Sequence, residues 1–313
     1  MNDNSQFNRT LVFVSLGLAV ALVVAVLIGS RFYYTTVAQA PVAVSPVDSP
    51  EAESTKGNEL LDALPNNFMG ARRAEIAEPA PKGVAAWRDA QTDNDVTLRC
   101  GVRLPYQYTD YSVLTELPQT GSSWLKVKDQ TPGSNLTTWY SVETAPTVAV
   151  TSSGDAAPDN LDLTTLAAPV AKAFPAPLST LKSATLDSKG ESACASLDED
   201  LPTELGEGYT AQANAQDSSN GAFTRVWAGE GLEPVVLRCG VQPPENYRAG
   251  EKLQQINEVP WFQDTTLAEG TTAGTWFALG RSVDIAVSTP QSAAEKVLPQ
   301  LTQVISSATP EQS

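Results

Sequence analysis

The chain has 313 residues, a length that suggests about two domains, and it carries 20 basic against 36 acidic side chains for a net charge of −16. This negative field repels nucleic acid, so we expect no nucleic-acid partner. Histidine is absent, which removes the commonest general base at neutral pH and the commonest transition-metal ligand. No catalytic motif stands out elsewhere, so we predict no catalytic residue, no metal site and no cofactor.

A head of ten residues (1–10) precedes an uncharged apolar run. The run reaches about 27 Å as a helix, close to the hydrocarbon thickness of a bilayer. We predict an uncleaved transmembrane signal anchor over residues 11–29, with the head in the cytoplasm and the bulk of the chain outside. The membrane is then a partner through residues 11–29. The alternative is secretion after cleavage near Ala40, because Ala38-Gln39-Ala40 resembles a signal-peptidase site.

Residues 37–56 are rich in proline, alanine, serine and acidic residues and have no large apolar stripe. This composition is typical of a flexible stalk that lifts a folded region away from a membrane.

The segment Leu98-Arg99-Cys100-Gly101-Val102 returns unchanged at residues 237–241, and its flanks also agree. We infer a tandem duplication, with a first repeat over 57–182 and a second over 190–308. Each copy shows an opening helix that ends in Leu-Pro, about four strands and a closing helix. The predicted fold is α+β, two related domains with mainly antiparallel sheets.

Apolar spacing places the closing helices. In the second repeat the stripe is Val297, Leu298, Leu301, Val304 and Ile305, and in the first it is Leu163, Leu166, Val170 and Phe174.

Three cysteines are present, and an extracytoplasmic location favours one disulfide and one remaining thiol. Cys239 recurs as Cys100, whereas Cys194 has no counterpart in the first repeat. The favoured pairing is therefore Cys194–Cys239, with Cys100 as a buried thiol. The alternative is Cys100–Cys239, which requires the two equivalent strands to face each other.

The second repeat combines Cys194 on a helix that ends in Leu-Pro with a strand reading Val-Leu-Arg-Cys-Gly-Val. Val259-Pro260-Trp261-Phe262 and Gly280-Arg281 follow. These residues resemble a family of actinobacterial extracytoplasmic proteins known only as a domain of unknown function. The resemblance implies a cell-envelope location and no activity. The first repeat departs from the pattern, because it lacks the first cysteine and has Thr144 where Arg281 aligns.

Charged and aromatic residues of the second repeat form a candidate ligand site. An arginine inside an apolar strand must be paired or point to solvent, and a guanidinium fork suits carboxylates. The candidate ligand-binding residues are Arg238, Arg281, Tyr247, Trp261 and Trp276.

Two further patterns are weaker. Ser-x-x-Lys occurs at Ser123–Lys126 and at Ser179–Lys182, but without the other elements of penicillin-recognising enzymes. The acidic cluster at residues 198–207 lacks the spacing of a calcium loop and is interpreted as a solvated helix end.

The leading hypothesis is a membrane-anchored, non-enzymatic interaction or structural module of the cell envelope, with envelope proteins or cell-wall components as partners. The alternatives are a cell-wall-active enzyme that uses paired carboxylates, and a small anionic-ligand binder that uses Arg238 and Arg281.

Overall fold

Two sheet-containing repeats follow one long helix in a computed structural model, which describes residues 9–38, 40–89, 92, 94–213, 223–266 and 272–312. The helices are α1 (Arg9–Ala38), α2 (Thr55–Ala63), α3 (Ser188–Asp200) and α4 (Gln291–Ala308). The first repeat has β1 (Asn67–Phe68), β2 (Ala71–Ala74), β3 (Val84–Asp89), β4 (Asn94–Cys100), β5 (Leu114–Leu117), β6 (Ser122–Lys128), β7 (Leu136–Ser141) and β8 (Val148–Ser153). The second has β9 (Glu204–Leu205), β10 (Tyr209–Ala211), β11 (Phe223–Ala228), β12 (Val235–Cys239), β13 (Gln254–Ile256), β14 (Val259–Asp264), β15 (Ala273–Ala278) and β16 (Ile285–Pro290).

The long helix α1 contains a stretch that is long and apolar enough to cross a membrane. This stretch, Val12–Tyr33, has 22 residues and a mean hydropathy of 2.9, and none of it is buried against the rest of the chain. A long row of exposed apolar side chains is unfavourable in water and favourable in a bilayer.

The two repeats have the same sheet topology. The first sheet runs β1-β2-β3-β4-β8-β7-β6-β5, and the second follows the same order from β9 to β13 with every neighbouring pair antiparallel. The duplication and the α+β class are therefore confirmed. The expectation of about four strands per repeat is too low, because four more short strands extend each sheet. Several of these have only two to four residues, too few to show a periodic pattern.

One face of each sheet packs on helices. In the second repeat α3 and α4 cover a core that includes Trp227, Trp261 and Ile285. The predicted stripe of α4 faces this core, since Val297, Leu298, Leu301 and Ile305 are all buried.

The first repeat has no closing helix, which corrects the prediction for residues 163–174. Leu161, Leu163 and Leu166 still fill the core, but they do so from a mainly irregular segment that contains one 3-10 turn at Thr164–Leu166. Val170, expected on the same stripe, is 57% exposed. Pro158, Pro169 and two further prolines at 175 and 177 remove backbone donors throughout the segment, which prevents a continuous helix.

The residues that precede the opening helix make the same contacts in both repeats. Ser54 caps α2 and Asp187 caps α3, each accepting a hydrogen bond from the first turn. Three residues before each cap, the chain is tied to the glycine that follows the motif cysteine. The N–H of Glu51 donates to Gly101 O at 3.2 Å, and the N–H of Ala184 donates to Gly240 O at 2.8 Å.

The glycine of the Cys-Gly motif is required by this contact. Gly101 and Gly240 both have φ of +79°, a conformation that other residues rarely adopt. A Cβ atom on Gly101 would also lie 2.2 Å from the carbonyl carbon of Glu51. The repeated motif therefore encodes a close backbone approach as well as a strand.

A buried tryptophan fixes the exit of each opening helix. The indole Nε1 of Trp87 donates to Pro65 O at 2.9 Å, and that of Trp227 donates to Pro202 O at 2.8 Å. Both rings are fully buried. The Leu-Pro that ends each helix is thus held to the third strand of its own sheet.

Within residues 40–56 of the expected flexible stalk (37–56), several positions are bound to the first repeat. Val42 is 1% exposed and exchanges hydrogen bonds with the backbone of Glu75 and Ala77. Ala40 O accepts from Arg88 at 2.7 Å, and α2 begins at Thr55. Composition suggested solvation, but single apolar residues at the right positions are enough to attach the segment to the first sheet.

The disulfide Cys194–Cys239 is present and links α3 to β12 with a Cα–Cα distance of 5.7 Å. The favoured pairing is confirmed, and the alternative Cys100–Cys239 is wrong. Cys100 is a buried free thiol. Burial, together with the charge of Glu51, raises the pKa of this thiol to about 11, so it stays protonated at neutral pH.

We predict that Cys194→Ala lowers the free energy of unfolding by about 4 kcal/mol, because the disulfide closes a loop of about 46 residues in the unfolded chain. Urea unfolding of the oxidised proteins measures this. Cys100→Ala is the matched control and should cost only about 1 kcal/mol, since it removes a buried sulfur but no cross-link. Equal losses in the two variants would contradict the prediction.

Candidate functional site

The guanidinium of Arg238 is bound by the chain that links the two repeats. Nη1 donates to Leu178 O at 2.7 Å and to Leu181 O at 2.9 Å, and Nη2 donates to Ser183 Oγ at 3.2 Å. The residue is 7% exposed. These contacts give Arg238 a structural role in seating the linker on the second sheet.

Arg281 is bound near the end of α4. Its Nε donates to Thr309 Oγ1 at 3.1 Å and its Nη2 to Ser306 O at 3.0 Å. A cation at this place also interacts favourably with the carbonyl end of the helix dipole. The two arginines therefore contact different segments, and the structure does not join them in one anion-binding fork.

The three aromatic candidates are core residues. Trp261 is fully buried and donates from Nε1 to Thr302 Oγ1 at 3.0 Å, and Trp276 lies in the same core. Tyr247 lies on the opposite face of the sheet, with its ring edge-on to Phe262 at 5.3 Å. A ligand groove lined by these rings is not formed.

The first Ser-x-x-Lys pattern falls on strand β6, where residues three apart point to opposite faces. Ser123 Oγ lies 3.0 Å from Glu116 Oε2 and 2.8 Å from Glu143 Oε2. Lys126 points to the other face, over the Trp139 ring at 5.0 Å. Serine and lysine cannot cooperate in this arrangement. The second pattern, Ser179–Lys182, lies in the irregular linker.

The acidic cluster at residues 198–207 is partly neutralised by ion pairs. Asp198 pairs with Arg225 and Glu207 with Lys296. Among the residues that the structure describes, no group of three or more acidic or cysteine side chains could hold a metal ion.

The two repeats meet at an open edge of β6. Strand β5 pairs only with residues 122–125, so the rest of β6 has no strand partner on that side. The N–H of Lys128 donates to Gly231 O of the second repeat at 3.0 Å. The contact satisfies a backbone donor at an unpaired edge.

A buried lysine reinforces this contact. Lys126 is 7% exposed, and its Nζ lies 3.0 Å from both Asp155 Oδ1 and Glu230 Oε1. Burial alone lowers the pKa of Lys126, but the two carboxylates together raise it above the ordinary value. One lysine thus connects the two repeats. The sequence signal for this contact is a lysine inside the apolar run of β6, and the sequence analysis does not predict its role.

A cavity of about 190 Å³ lies between the repeats next to this joint. Its walls include Leu125 and Lys126 from the first repeat and Tyr209, Glu233 and Thr272 from the second. Burial raises the pKa of Glu233, although hydrogen bonds from Thr272 oppose the shift. Burial and the charge of Glu233 raise the pKa of Tyr209. The cavity is smaller than the roughly 300–1,000 Å³ usual for ligand pockets.

A second cavity, of about 300 Å³, lies beside the linker on the second repeat. Asp264 on its wall is 3% exposed and accepts hydrogen bonds from Asn246 and Thr266. The carboxylate is therefore committed to holding the loop at residues 244–247.

The comparisons with known proteins find a family but no characterised relative. The model of a family described as a protein of unknown function (DUF3515) matches twice, over residues 16–178 and 175–313. No curated protein and no solved structure matches the chain. The two matches coincide with the two sheets of the structure, so the duplication is a duplication of one family domain.

We predict that Arg238→Gln lowers the free energy of unfolding by about 3 kcal/mol, because Leu178 O and Leu181 O lose a charged donor. Urea unfolding measures the loss. The control is Lys252→Gln, which changes the charge equally at an exposed position and should leave stability unchanged. Unaltered stability in Arg238→Gln together with lost binding of an anionic cell-wall precursor would instead support the ligand fork.

We predict that Glu233→Gln stabilises the protein at pH 7 and flattens its stability between pH 4.5 and neutrality. The folded pKa of Glu233 is raised above the ordinary value of 4.5. The neutral carboxyl is therefore the favoured form, and stability falls as the pH rises and the group ionises. Thermal unfolding across this range measures the effect. The exposed Glu258→Gln is the control, and identical pH profiles for both variants would contradict the prediction.

Proposed function

The chain belongs to DUF3515, a family of proteins of unknown function, and from this premise we propose that it is a membrane-tethered, extracytoplasmic interaction module of the cell envelope. The observation that carries the proposal is the helix Val12–Tyr33, which is apolar, long enough to cross a bilayer and not buried in the rest of the structure. Such a helix either anchors the protein or directs its export. With the ten-residue head in the cytoplasm, either fate puts the two repeats outside it.

The disulfide also supports an extracytoplasmic location of the two repeats. Cys194 and Cys239 are joined, and structural disulfides are typical of extracytoplasmic compartments. The positions of the anchor and the first repeat favour retention over cleavage. Helix α1 continues to Ala38, and Ala40 is already bound by Arg88 of the first sheet. The first repeat is therefore tethered close to the membrane surface.

The internal contacts of the polar groups do not support the small-ligand alternative. Arg238, Arg281 and Asp264 are each occupied by internal hydrogen bonds. The remaining alternative is an enzyme that uses paired carboxylates. Glu116 and Glu143 converge on the Ser123 hydroxyl, but neither lines the two cavities described above. Glycosidases instead place their carboxylate pair on both sides of the bound substrate in a cleft.

We predict that residue 45 is labelled from outside and residue 5 is not. Ser45→Cys and Ser5→Cys are introduced separately into Cys100→Ala, and right-side-out membrane vesicles are treated with a membrane-impermeant maleimide. Ser45 follows the predicted span and is expected outside the membrane, whereas Ser5 precedes it and is expected in the cytoplasmic head. Mass spectrometry of the same chain shows whether residues 1–40 are retained.

Labelling at residue 5 but not at residue 45 would contradict the proposed topology. Release of soluble fragments from purified cell wall by the full chain, lost in Glu143→Gln but not in Glu258→Gln, would replace the interaction module with the enzyme.

A further inference from the structure

The two repeats present the same three-residue arrangement on the sheet face that points away from the helices. In the second repeat, Arg238 pairs with Ala286, which pairs with Phe277 on the next strand. In the first repeat, Arg99 pairs with Ala149, which pairs with Tyr140. Side chains paired in this way lie on one face of an antiparallel sheet. Arg99 and Arg238 therefore occupy equivalent positions.

In the second repeat this face is covered by a turn-forming segment of the linker, residues 178–183, in which Leu178 has φ of +62° and the N–H of Leu181 donates to Leu178 O at 3.1 Å. Leu178 is buried on Val236 and Phe277, with Leu181 packed beside it. Arg238 Nη1 bonds the carbonyls of both leucines. The segment is therefore recognised by two apolar side chains three positions apart and by main-chain oxygens that face one guanidinium.

In the first repeat the equivalent segment leaves the sheet. Counted back from the helix caps Ser54 and Asp187, residues 178–181 correspond to residues 45–48. All four of these are exposed, and Asp48 pairs with Arg103 at the surface. Ala171 and Ala173 pack in the same cluster as Tyr140, but in the described part of the chain no carbonyl bonds Arg99 as those of Leu178 and Leu181 bond Arg238.

The uncovered face keeps features that suit a polypeptide. Arg99 is half-buried, and within the described ranges its guanidinium makes no hydrogen bond or ion pair. Burial lowers the pKa of Arg99 and the nearby Tyr140 opposes the shift, so the guanidinium has lost part of its hydration. Its five donors are available to the carbonyl oxygens of a bound segment.

The surroundings of Arg99 are also suited to reversible contact. Thr97, Thr138 and Thr151 stand where the second repeat has Val236, Thr275 and Ser288. The three threonines are half-buried, whereas their counterparts are buried. A face of threonine, tyrosine and arginine tolerates water when empty, and it still offers apolar surface to a bound segment.

We propose that the Arg99 face of the first repeat, formed by Arg99, Tyr140 and the three threonines, binds a turn-forming peptide segment of a partner protein, in the manner of residues 178–183 on the second repeat. The segment carries two apolar side chains three positions apart, and its carbonyl oxygens accept from Arg99. The net charge of −16 favours a neutral or basic segment over an anionic one. This inference rests on the proposed function, because it names the kind of partner that the interaction module recognises.

The test uses the full chain in lipid nanodiscs and a fluorescein-labelled peptide with the sequence of residues 176–184. The chain's own residues 178–183 occupy the equivalent place on the second repeat and belong to the same chain, so a free peptide does not readily displace them. The peptide therefore reports on the Arg99 face. We expect saturable binding by fluorescence polarisation. Arg99→Gln should weaken it about tenfold or more through the loss of charged hydrogen bonds. Arg248→Gln, a matched loss of charge at an exposed site, should leave it unchanged.

Three further measurements guard against misfolding and non-specific adsorption. Arg99→Lys keeps the charge but not the fork and should bind with intermediate affinity. A peptide with both leucines replaced by serine should not bind. In the wild type, the Nε–H signal of Arg99 in NMR spectra should shift on addition of the original peptide.

Absence of peptide binding, or equal affinity for the wild type and Arg99→Gln, would overturn the inference, as would Arg99-dependent binding of citrate without binding of the peptide. The proposed function fails separately, through the labelling pattern at residues 5 and 45 or through cell-wall hydrolysis. Neither of those results depends on whether the peptide binds.

Discussion

The central strand of each repeat, β4 or β12, divides the fold into two faces, and the rest of the structure depends on this division. Along Leu-Arg-Cys-Gly, leucine and cysteine point to the helix-covered core, and arginine points to the opposite face. Glycine then turns the chain in a left-handed conformation that lets the entry segment of the opening helix approach. Four successive residues thus specify a core, an outer face and the path of the chain between them.

The two copies secure the opening helix to this strand in different ways. In the second repeat a disulfide joins Cys194 of α3 to Cys239. In the first repeat Cys100 has no cysteine to pair with, and α2 packs closely instead. A Cβ atom on Gly57 would lie only 2.9 Å from Cys100 Sγ, so a glycine is needed for the helix to come this near. Close packing takes the place of a covalent bond, which is consistent with a diverged copy.

Internal comparison made much of the fold predictable from the sequence. A cysteine without a counterpart in the other copy identified the pairing of Cys194 with Cys239, and the repeated strand motif located the centre of both sheets. The absence of a closing helix in the first repeat was less accessible, because Leu163 and Leu166 have helical spacing although prolines interrupt the segment. Leu163 and Leu166 are buried all the same in the mainly irregular segment that the structure shows. Periodicity therefore found the buried residues but not the backbone that presents them.

The candidate site was harder to predict, because its chemistry depends on contacts that are distant in sequence. Whether an arginine in an apolar strand binds a ligand or supports the fold depends on what lies over it. For Arg238 the acceptors come from residues 55 to 60 positions earlier, in a linker whose composition gave no sign of this role. Likewise, Lys126 is informative only once Glu230 of the other repeat is seen beside it. Local pattern cannot reveal such partners.

The tandem arrangement itself accounts for the difference between the two outer faces. The segment that enters the second repeat comes from the first repeat, so it can lie across the sheet and bury Leu178 on the way to α3. The segment that enters the first repeat comes from the apolar helix, and residues 40–42 are already bound at the β2 side of the sheet. From there the chain keeps residues 45–48 exposed and reaches α2 without the contacts that residues 178–183 make on the second repeat. Attachment of the first repeat to the apolar helix therefore accounts for the different cover of two equivalent faces.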